Sequence, residues 1–124
     1  MIYFVTGGCG FIGSCFIEKI LNEENDALVV NLDNLTYSAN KKFNNSIKKK
    51  NYIFIKGNIC DKKKVKYILD KFNPDFIVNF AAETHVDNSI NKPATFLKTN
   101  VIGVYNILEQ VSKYYKNLNQ KKKS

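Results

Sequence analysis

Short apolar runs alternate with amphipathic segments along the first part of this chain. An apolar run at 2–5 precedes a segment at 12–21 whose apolar residues recur at the spacing of one helix face. A second apolar run at 27–32 ends in Asp33. The pattern predicts a strand, a helix and a second strand, and the glycines between the first two predict a tight turn.

The same alternation continues in the second part of the chain. It predicts a third strand at 52–55 and a fourth at 76–80. Between them, Asp61 is expected to cap a helix that Asn73-Pro74 ends. The fourth strand is continuously apolar, which is typical of a strand buried on both faces.

The remaining segments give weaker patterns. Residues 40–50 contain one apolar pair, so any helix there is expected to be short and weakly anchored. Residues 81–87 are predicted to form a loop, and Pro93 fits the first turn of a longer last helix. The apolar stripe expected on that helix comprises Leu97, Val101, Val104, Leu108 and Val111.

Strands that alternate with helices predict an α/β fold. With right-handed crossovers, the elements form a Rossmann-type open parallel sheet of strand order 3-2-1-4. Ligands of such sheets bind beyond the carboxyl ends of the strands. The four segments that follow the strands are therefore expected to meet at one edge: 7–13, 33–36, 58–59 and 80–84.

Composition limits the size and location of the protein. A chain of 124 residues, 44% hydrophobic, suits one compact domain, predicted at 1–113, with a frayed lysine-rich tail at 114–124. No apolar run approaches the roughly 20 residues that span a bilayer. The three cysteines show no C-x-x-C spacing, so neither a disulfide framework nor a metal site is predicted, and a reducing cytoplasm is expected.

The net charge of +8 raises the question of nucleic acid. All 19 basic residues are lysine, however, and none is arginine, whose planar donors read bases and grip phosphates. The lysines occur in runs that are typical of solvated faces. Nucleic acid is therefore not the expected partner.

The glycine turn carries the first candidate chemistry. Gly7, Gly8, Gly10 and Gly13 fit the spacing in which one glycine permits a tight turn, one admits a pyrophosphate and one lets the helix pack closely on the strand. The pyrophosphate would then meet the positive end of the following helix.

Asp33 supplies the second part of the pattern. It follows Gly13 by about 20 residues, the spacing at which a carboxylate can accept both hydroxyls of an adenosine ribose. A carboxylate there also repels a 2′-phosphate, which favours NAD over NADP, although Lys41 and Lys42 follow closely. The alternative is that Asp33 only begins a turn.

Four stretches resemble a known family: TGGCGFIG at 6–13, DNLTYSAN at 33–40, AAETHVDNSI at 81–90 and TNVIG at 99–103. They are similar to the extended short-chain dehydrogenases/reductases, and within them to the nucleotide-sugar 4,6-dehydratases that act on dTDP-glucose. The resemblance covers nearly the whole chain. It implies an NAD cofactor, a nucleotide-sugar substrate and a homodimer.

The resemblance also implies a set of cofactor-binding residues. This chain differs from the usual family sequence at three positions. The family usually has Asp at 58, Ser at 84 and a small Ala at 9, where this chain has Asn58, Thr84 and Cys9. The residues implied are Gly7, Gly10, Phe11, Ile12 and Gly13 at the pyrophosphate; Asp33, Asn34, Leu35 and Thr36 at the ribose; Asn58 and Ile59 at the adenine; Phe80, Ala81, Ala82, Glu83 and Thr84 toward the nicotinamide, with Thr84 also near the sugar; and Thr99 in contact with the cofactor.

Members of the family continue into a fifth strand with a Thr-Asp-Glu group, a helix with a Tyr-x-x-x-Lys base and a substrate domain. This chain is expected to be truncated before them, with an incomplete sheet, no catalytic residue and no activity by itself. Three Tyr-x-x-x-Lys strings, which start at Tyr37, Tyr52 and Tyr67, are interpreted as chance matches. Glu83, His85 and Asp87 are likewise interpreted as loop residues and not as a metal or acid–base site.

Two other functions stay open. The chain could belong to a UDP-glucose 4,6-dehydratase or 4-epimerase, because the residues that distinguish the nucleotide are missing. It could also be a non-catalytic dinucleotide-binding module. In either case, the open edge of the fourth strand predicts that the isolated chain associates.

Overall fold

The computed structural model describes residues 1–35, 43, 47, 51–83 and 86–123. The chain forms two compact units, one of Met1–Asn58 with Pro74–Ala82 and the other of Ile59–Asn73 with Glu83–Ser124. The helix expected at 40–50 lies outside the described residues except for Phe43 and Ile47, and Phe43 is buried. The division into a domain of 1–113 and a tail stays a prediction.

The first unit contains a four-stranded parallel sheet. Its order is β3-β2-β1-β4, which confirms the predicted α/β fold and strand order. The register places Phe4 opposite Val30 on one side and opposite Ile77 on the other. The strands are β1 (Ile2–Thr6), β2 (Leu28–Asp33), β3 (Tyr52–Lys56) and β4 (Phe76–Asn79).

Helix α1 (Phe11–Glu23) packs on this sheet as its apolar spacing predicts. Ile17 and Leu21 of the helix join one buried cluster with strand residues, and each fully buried side chain of this kind contributes about 1.5–3 kcal/mol. The helix ends where Glu24 donates its N–H to the Ile20 carbonyl. The buried cluster contains Tyr3, Val5, Ile17, Leu21, Ala27, Val29 and Phe43.

Strand β4 corrects one prediction. It was expected to be buried on both faces, but Phe76 and Asn79 are exposed and the two residues between them are only half-buried. In the part of the chain that the structure describes, β4 pairs with β1 alone. It is therefore an edge strand, and its apolar sequence does not guarantee burial.

In the second unit, helix α2 (Lys62–Phe72) has the predicted ends. The Asp61 side chain accepts the N–H of Lys64 at 3.1 Å, which satisfies one orphan donor of the first turn. Asn73 adopts the left-handed conformation with φ 47° and ends the helix. Both boundaries are set by local chemistry that the sequence contains.

The last predicted helix is divided in the structure. Pro93 does occupy a first turn, but a helix already begins at Val86, within the predicted loop. The helix that begins at Val104 continues to Lys123, through the segment predicted to fray. Within it Tyr114 is buried, and its hydroxyl donates to Asn73 Oδ1 at 3.3 Å. The elements are α3 (Val86–Asn91), α4 (Pro93–Leu97), a π-helix (Lys98–Gly103) and α5 (Val104–Lys123).

The predicted apolar stripe on this segment was wrong. Leu97 and Val101 are both 56% exposed and Leu108 is 64% exposed. The π-helix holds more residues per turn than an α-helix, so it rotates the face that follows it. The buried positions are instead Gly103, Asn106, Ile107, Gln110 and Tyr114. Among the described residues, no helix is long and apolar enough to cross a bilayer.

Candidate cofactor site

The carboxyl ends of the four strands lie at one edge of the first unit. The register places Thr6 opposite both Leu32 and Asn79, and Asp33 opposite Lys56. The Thr6 hydroxyl donates to the Asn79 side chain and so joins the ends of β1 and β4. The segments that leave this edge are the glycine turn, Asn34–Leu35, Gly57–Asn58 and Phe80–Ala82.

The glycines of the turn differ in what surrounds them. Gly7 has φ 67°, and a Cβ there would lie 2.5 Å from the backbone nitrogen of Ala81. A Cβ at Gly13 would lie 2.5 Å from the Gly7 carbonyl oxygen. A Cβ at Gly10 would meet nothing closer than that oxygen at 3.4 Å. Gly7 and Gly13 are thus required for packing, whereas Gly10 leaves room for an incoming group.

The amino end of α1 is suited to an anion. The Ser14 N–H bonds to the Gly10 carbonyl, so the amides of Phe11, Ile12 and Gly13 have no intrahelical partner. No side chain caps the helix, and its first turn has no acidic residue. Phe11 and Ile12 are 85% and 67% exposed. An anion at this position would meet backbone donors and the positive end of the helix dipole.

Asp33 stands directly beside the glycine turn. Its Oδ2 accepts the Cys9 N–H at 2.9 Å, and its Oδ1 accepts the Leu35 N–H at 2.7 Å. The second bond is the turn contact of the alternative interpretation, and Leu35 has φ 51° there. Each oxygen still has acceptor capacity, because a carboxylate offers about four lone-pair sites. The geometry therefore allows both turn formation and ribose binding.

A buried polar network lies beneath the turn, and the pattern of the sequence did not predict it. Asn31 bonds to Gly8, Cys9 and Tyr52. Burial and the nearby Asp33 carboxylate raise the pKa of the Cys9 thiol to about 12. Burial raises the pKa of Tyr52 to about 12 as well. Both groups stay protonated at neutral pH. The missed signal was a single amide within an apolar strand.

The other predicted site residues of the first unit follow the ends of β2, β3 and β4. The Phe80 N–H donates to the Thr6 carbonyl at 2.8 Å, and its ring lies 5.4 Å from that of Phe16. Ala81 is half-buried and Ala82 is exposed. Asn34 is exposed, and Asn58 is half-buried after Gly57, whose N–H donates to the Asp33 carbonyl. Thr36 lies outside the described residues.

Three of the predicted site residues that the structure describes belong to the second unit. Ile59 is 4% exposed, and its carbonyl accepts the side-chain amide of Asn106 at 2.6 Å. The backbone of Glu83 both donates to and accepts from the Asn100 side chain, at 2.8 and 3.0 Å. Thr99 is half-buried in the π-helix. Thr84 lies outside the described residues, as does His85.

Two of the Tyr-x-x-x-Lys strings can be located. Tyr52 and Lys56 lie at opposite ends of β3, so they cannot act on one atom. Lys71 donates to the Tyr67 hydroxyl at 2.8 Å on the surface of α2, and Tyr67 is 51% exposed. The string at Tyr37 is not among the described residues. Within the described ranges, no three His, Cys, Asp or Glu side chains could hold a metal ion.

Comparison with known proteins identifies a family. The family described as GDP-mannose 4,6 dehydratase matches residues 4–123. The dTDP-glucose 4,6-dehydratase of Haemophilus influenzae is 42% identical over 125 residues, which cover 100% of this chain and 37% of that protein. The chain spans about a third of the length of the curated relatives it matches.

Solved structures agree with this match. The dTDP-glucose 4,6-dehydratase of Bacillus anthracis in complex with NAD has a TM-score of 0.81 at 39% identity, covering 92% of this chain and 34% of that one. The UDP-glucose 4-epimerase of Thermotoga maritima with UDP-glucose has a TM-score of 0.80 at 34% identity, covering 92% and 35%. The solved structures that are similar to this chain thus include a dehydratase and an epimerase.

Proposed function

Because the chain belongs to the GDP-mannose 4,6-dehydratase family of extended short-chain dehydrogenases/reductases, we propose that it is the NAD-binding portion of a dTDP-glucose 4,6-dehydratase. The observation that carries its cofactor part is the 2.9 Å contact between Asp33 and the Cys9 amide, beside the uncapped start of α1. The acceptor for a ribose and the donors for a pyrophosphate thereby lie in one unit and at one sheet edge.

Each part of the dinucleotide has a proposed counterpart. The amides of Phe11 and Ile12 bind the pyrophosphate, Gly10 leaves room for it, and Asp33 binds the adenosine ribose. Bound NAD would supply hydride acceptance and return. The remaining proposed contacts are Gly7, Gly13, Asn34, Leu35 and Thr36 near these groups, Asn58 and Ile59 at the adenine, Phe80, Ala81, Ala82, Glu83 and Thr84 toward the nicotinamide, and Thr99 on the cofactor.

The substrate proposal rests on similarity. The relatives named as dTDP-glucose 4,6-dehydratases support dTDP-glucose, with Thr84 near the sugar. The similarity to a UDP-glucose 4-epimerase supports the second candidate, in which the same cofactor site serves a UDP-sugar. A non-catalytic dinucleotide-binding module is the third candidate. A homodimer is the proposed assembly, and the exposed Val101 and Leu108 support it.

Titration calorimetry with NAD and NADP tests the cofactor site. Asp33→Ala is expected to weaken NAD binding at least roughly tenfold, because two charge-assisted ribose bonds are lost. Asp33→Asn keeps the side-chain size and is expected to reduce the preference for NAD over NADP. Asp26→Ala removes an exposed carboxylate before β2 and serves as the matched control. Equal NAD affinity in wild type, Asp33→Ala and Asp26→Ala contradicts the proposal.

The same samples can be assayed for dTDP-glucose and UDP-glucose turnover. NAD binding without turnover of either sugar nucleotide is expected, because no catalytic residue is assigned in this chain. Turnover of dTDP-glucose by these 124 residues contradicts that assignment. Turnover of UDP-glucose alone favours the second candidate.

A further inference from the structure

Asn31 is an unusual residue for its position. It lies in the middle of β2, whose sequence is LVVNLD, and it is 0% exposed. Asparagine is depleted in strands, and burying an amide without hydrogen bonds costs free energy. A buried amide in an apolar strand is therefore stable only if specific partners surround it.

All the polar groups of Asn31 have partners. Its Oδ1 accepts the Gly8 N–H at 3.0 Å, and its Nδ2 donates to the Tyr52 hydroxyl at 2.9 Å and to Cys9 Sγ at 3.5 Å. Tyr52 pairs with Val29, two residues before Asn31, so both side chains lie on the same face of the sheet. The tyrosine thus reaches the amide from the neighbouring strand.

The contact between Asn31 and the glycine turn is tight. A Cβ on Gly8 would lie 2.5 Å from Asn31 Oδ1, so the turn packs directly on the amide. The next amide, that of Cys9, donates to Asp33 on the same strand. Two consecutive N–H groups of the turn are therefore fixed by two side chains of β2, and the amides of Phe11 and Ile12 are left for a ligand.

We propose that Asn31, held in place by the Tyr52 hydroxyl, is a positioning residue that fixes the glycine turn in the conformation that binds the pyrophosphate of the dinucleotide. This inference rests on the proposed function. Asn31 makes no contact with the cofactor itself; it anchors the turn to β2, the strand that also carries the ribose acceptor. A purely structural amide would support folding without any effect on affinity.

The test compares Asn31→Leu, Tyr52→Phe and the double variant by calorimetry with NAD. Asn31→Leu fills a similar volume without hydrogen bonds and is expected to raise the Kd roughly three- to tenfold. Tyr52→Phe is expected to raise the Kd less than Asn31→Leu does. The double variant is expected to raise it no more than Asn31→Leu alone, because both substitutions remove the same anchor. Val30→Ala, a fully buried change facing the other side of β2, controls for lost stability.

Amide hydrogen exchange gives a readout that needs no ligand. In Asn31→Leu, protection of the Gly8 and Cys9 amides is expected to fall at least several-fold relative to β1, whereas Val30→Ala leaves that ratio unchanged. A wild-type protein that does not bind NAD contradicts the proposed function. The exchange measurement then still tests whether Asn31 anchors the glycine turn. If the wild type binds and Asn31→Leu binds equally well, the positioning role is overturned. Tyr52→Phe provides the same comparison if Asn31→Leu does not fold.

Discussion

Gly10 and Gly13 belong to one motif but have different physical tasks. Gly13→Ala is expected to destabilise the fold by about 1–3 kcal/mol, because its Cβ would clash with backbone atoms 2.5 and 2.8 Å away. Gly10→Ala is expected to cost less than about 1 kcal/mol, since its Cβ has room. It should nevertheless weaken NAD binding roughly tenfold or more by filling the space for the pyrophosphate.

Chemical denaturation and calorimetry on both variants check this separation. The two glycines serve as controls for each other, since both changes add one methyl group to the same turn. A stable Gly13→Ala protein, or a Gly10→Ala protein with wild-type affinity, contradicts the division between a packing glycine and a ligand glycine.

The buried Cys9 and Tyr52 side chains predict a loss of stability at alkaline pH. Their pKa values are raised from 9.0 and 10.0 to about 12, chiefly by burial. The unfolded chain therefore releases these protons before the folded chain does. The free energy of unfolding is expected to hold below about pH 9 and to fall as the pH rises toward 12.

Urea denaturation across this pH range measures the slope. Cys9→Ala removes one titrating group, and Tyr52→Phe removes the other, so each is expected to flatten the decline. Cys15→Ala removes an exposed thiol and is the matched control. An unchanged slope in both Cys9→Ala and Tyr52→Phe would show that the decline has another origin.

At the scale of elements, Ile107 and Leu108 distinguish the predicted buried face of α5 from the one in the structure. The predicted apolar stripe included Leu108, whereas in the structure Ile107 is 4% exposed and Leu108 is 64% exposed. Ile107→Ala is therefore expected to cost about 2–5 kcal/mol and Leu108→Ala no more than about 0.5 kcal/mol. Thermal and urea denaturation of the two neighbouring variants decide the point, and the reverse ranking would restore the predicted stripe.

The sequence could predict the elements whose boundaries depend on local chemistry. The cap at Asp61, the stop at Asn73 and the glycine turn each act within a few residues. The parallel sheet order followed from the alternation of strands and helices. The sequence could not reveal the π-helix, because its extra residue per turn depends on packing. The predicted order placed β4 at an edge, but its apolar run could not show that its faces would stay half-exposed, because burial depends on what packs against them.

For the candidate site, Asp33 and the glycines could be identified from the sequence because their spacing matches the dinucleotide-binding pattern. The supporting residues were not predicted, since the contact between Asn31 and Tyr52 joins positions 21 residues apart on two strands. Such a contact requires the register of β2 and β3, which the pattern of apolar residues does not specify. The single amide in β2 was the only local sign of it.

At the scale of the whole molecule, charge and apolar surface oppose each other. The net charge of +8 is the balance between 19 lysines and 11 acidic side chains. Such a charge makes copies of the chain repel one another over a Debye length. Exposed apolar residues on α4, the π-helix and α5, among them Leu97, Val101 and Leu108, favour contact between copies.

We therefore expect self-association to increase with salt. As the NaCl concentration rises from about 0.01 M to about 1 M, the Debye length falls from about 30 Å to about 3 Å, so repulsion weakens while apolar contacts remain. Sedimentation velocity should show a monomer at low salt and a larger species at high salt. The Val101→Lys/Leu108→Lys variant should stay monomeric throughout, whereas Lys121→Glu, which lowers the net charge away from these two residues, should associate at lower salt. Association that weakens with salt would mean that charged contacts, and not the apolar face, join the copies.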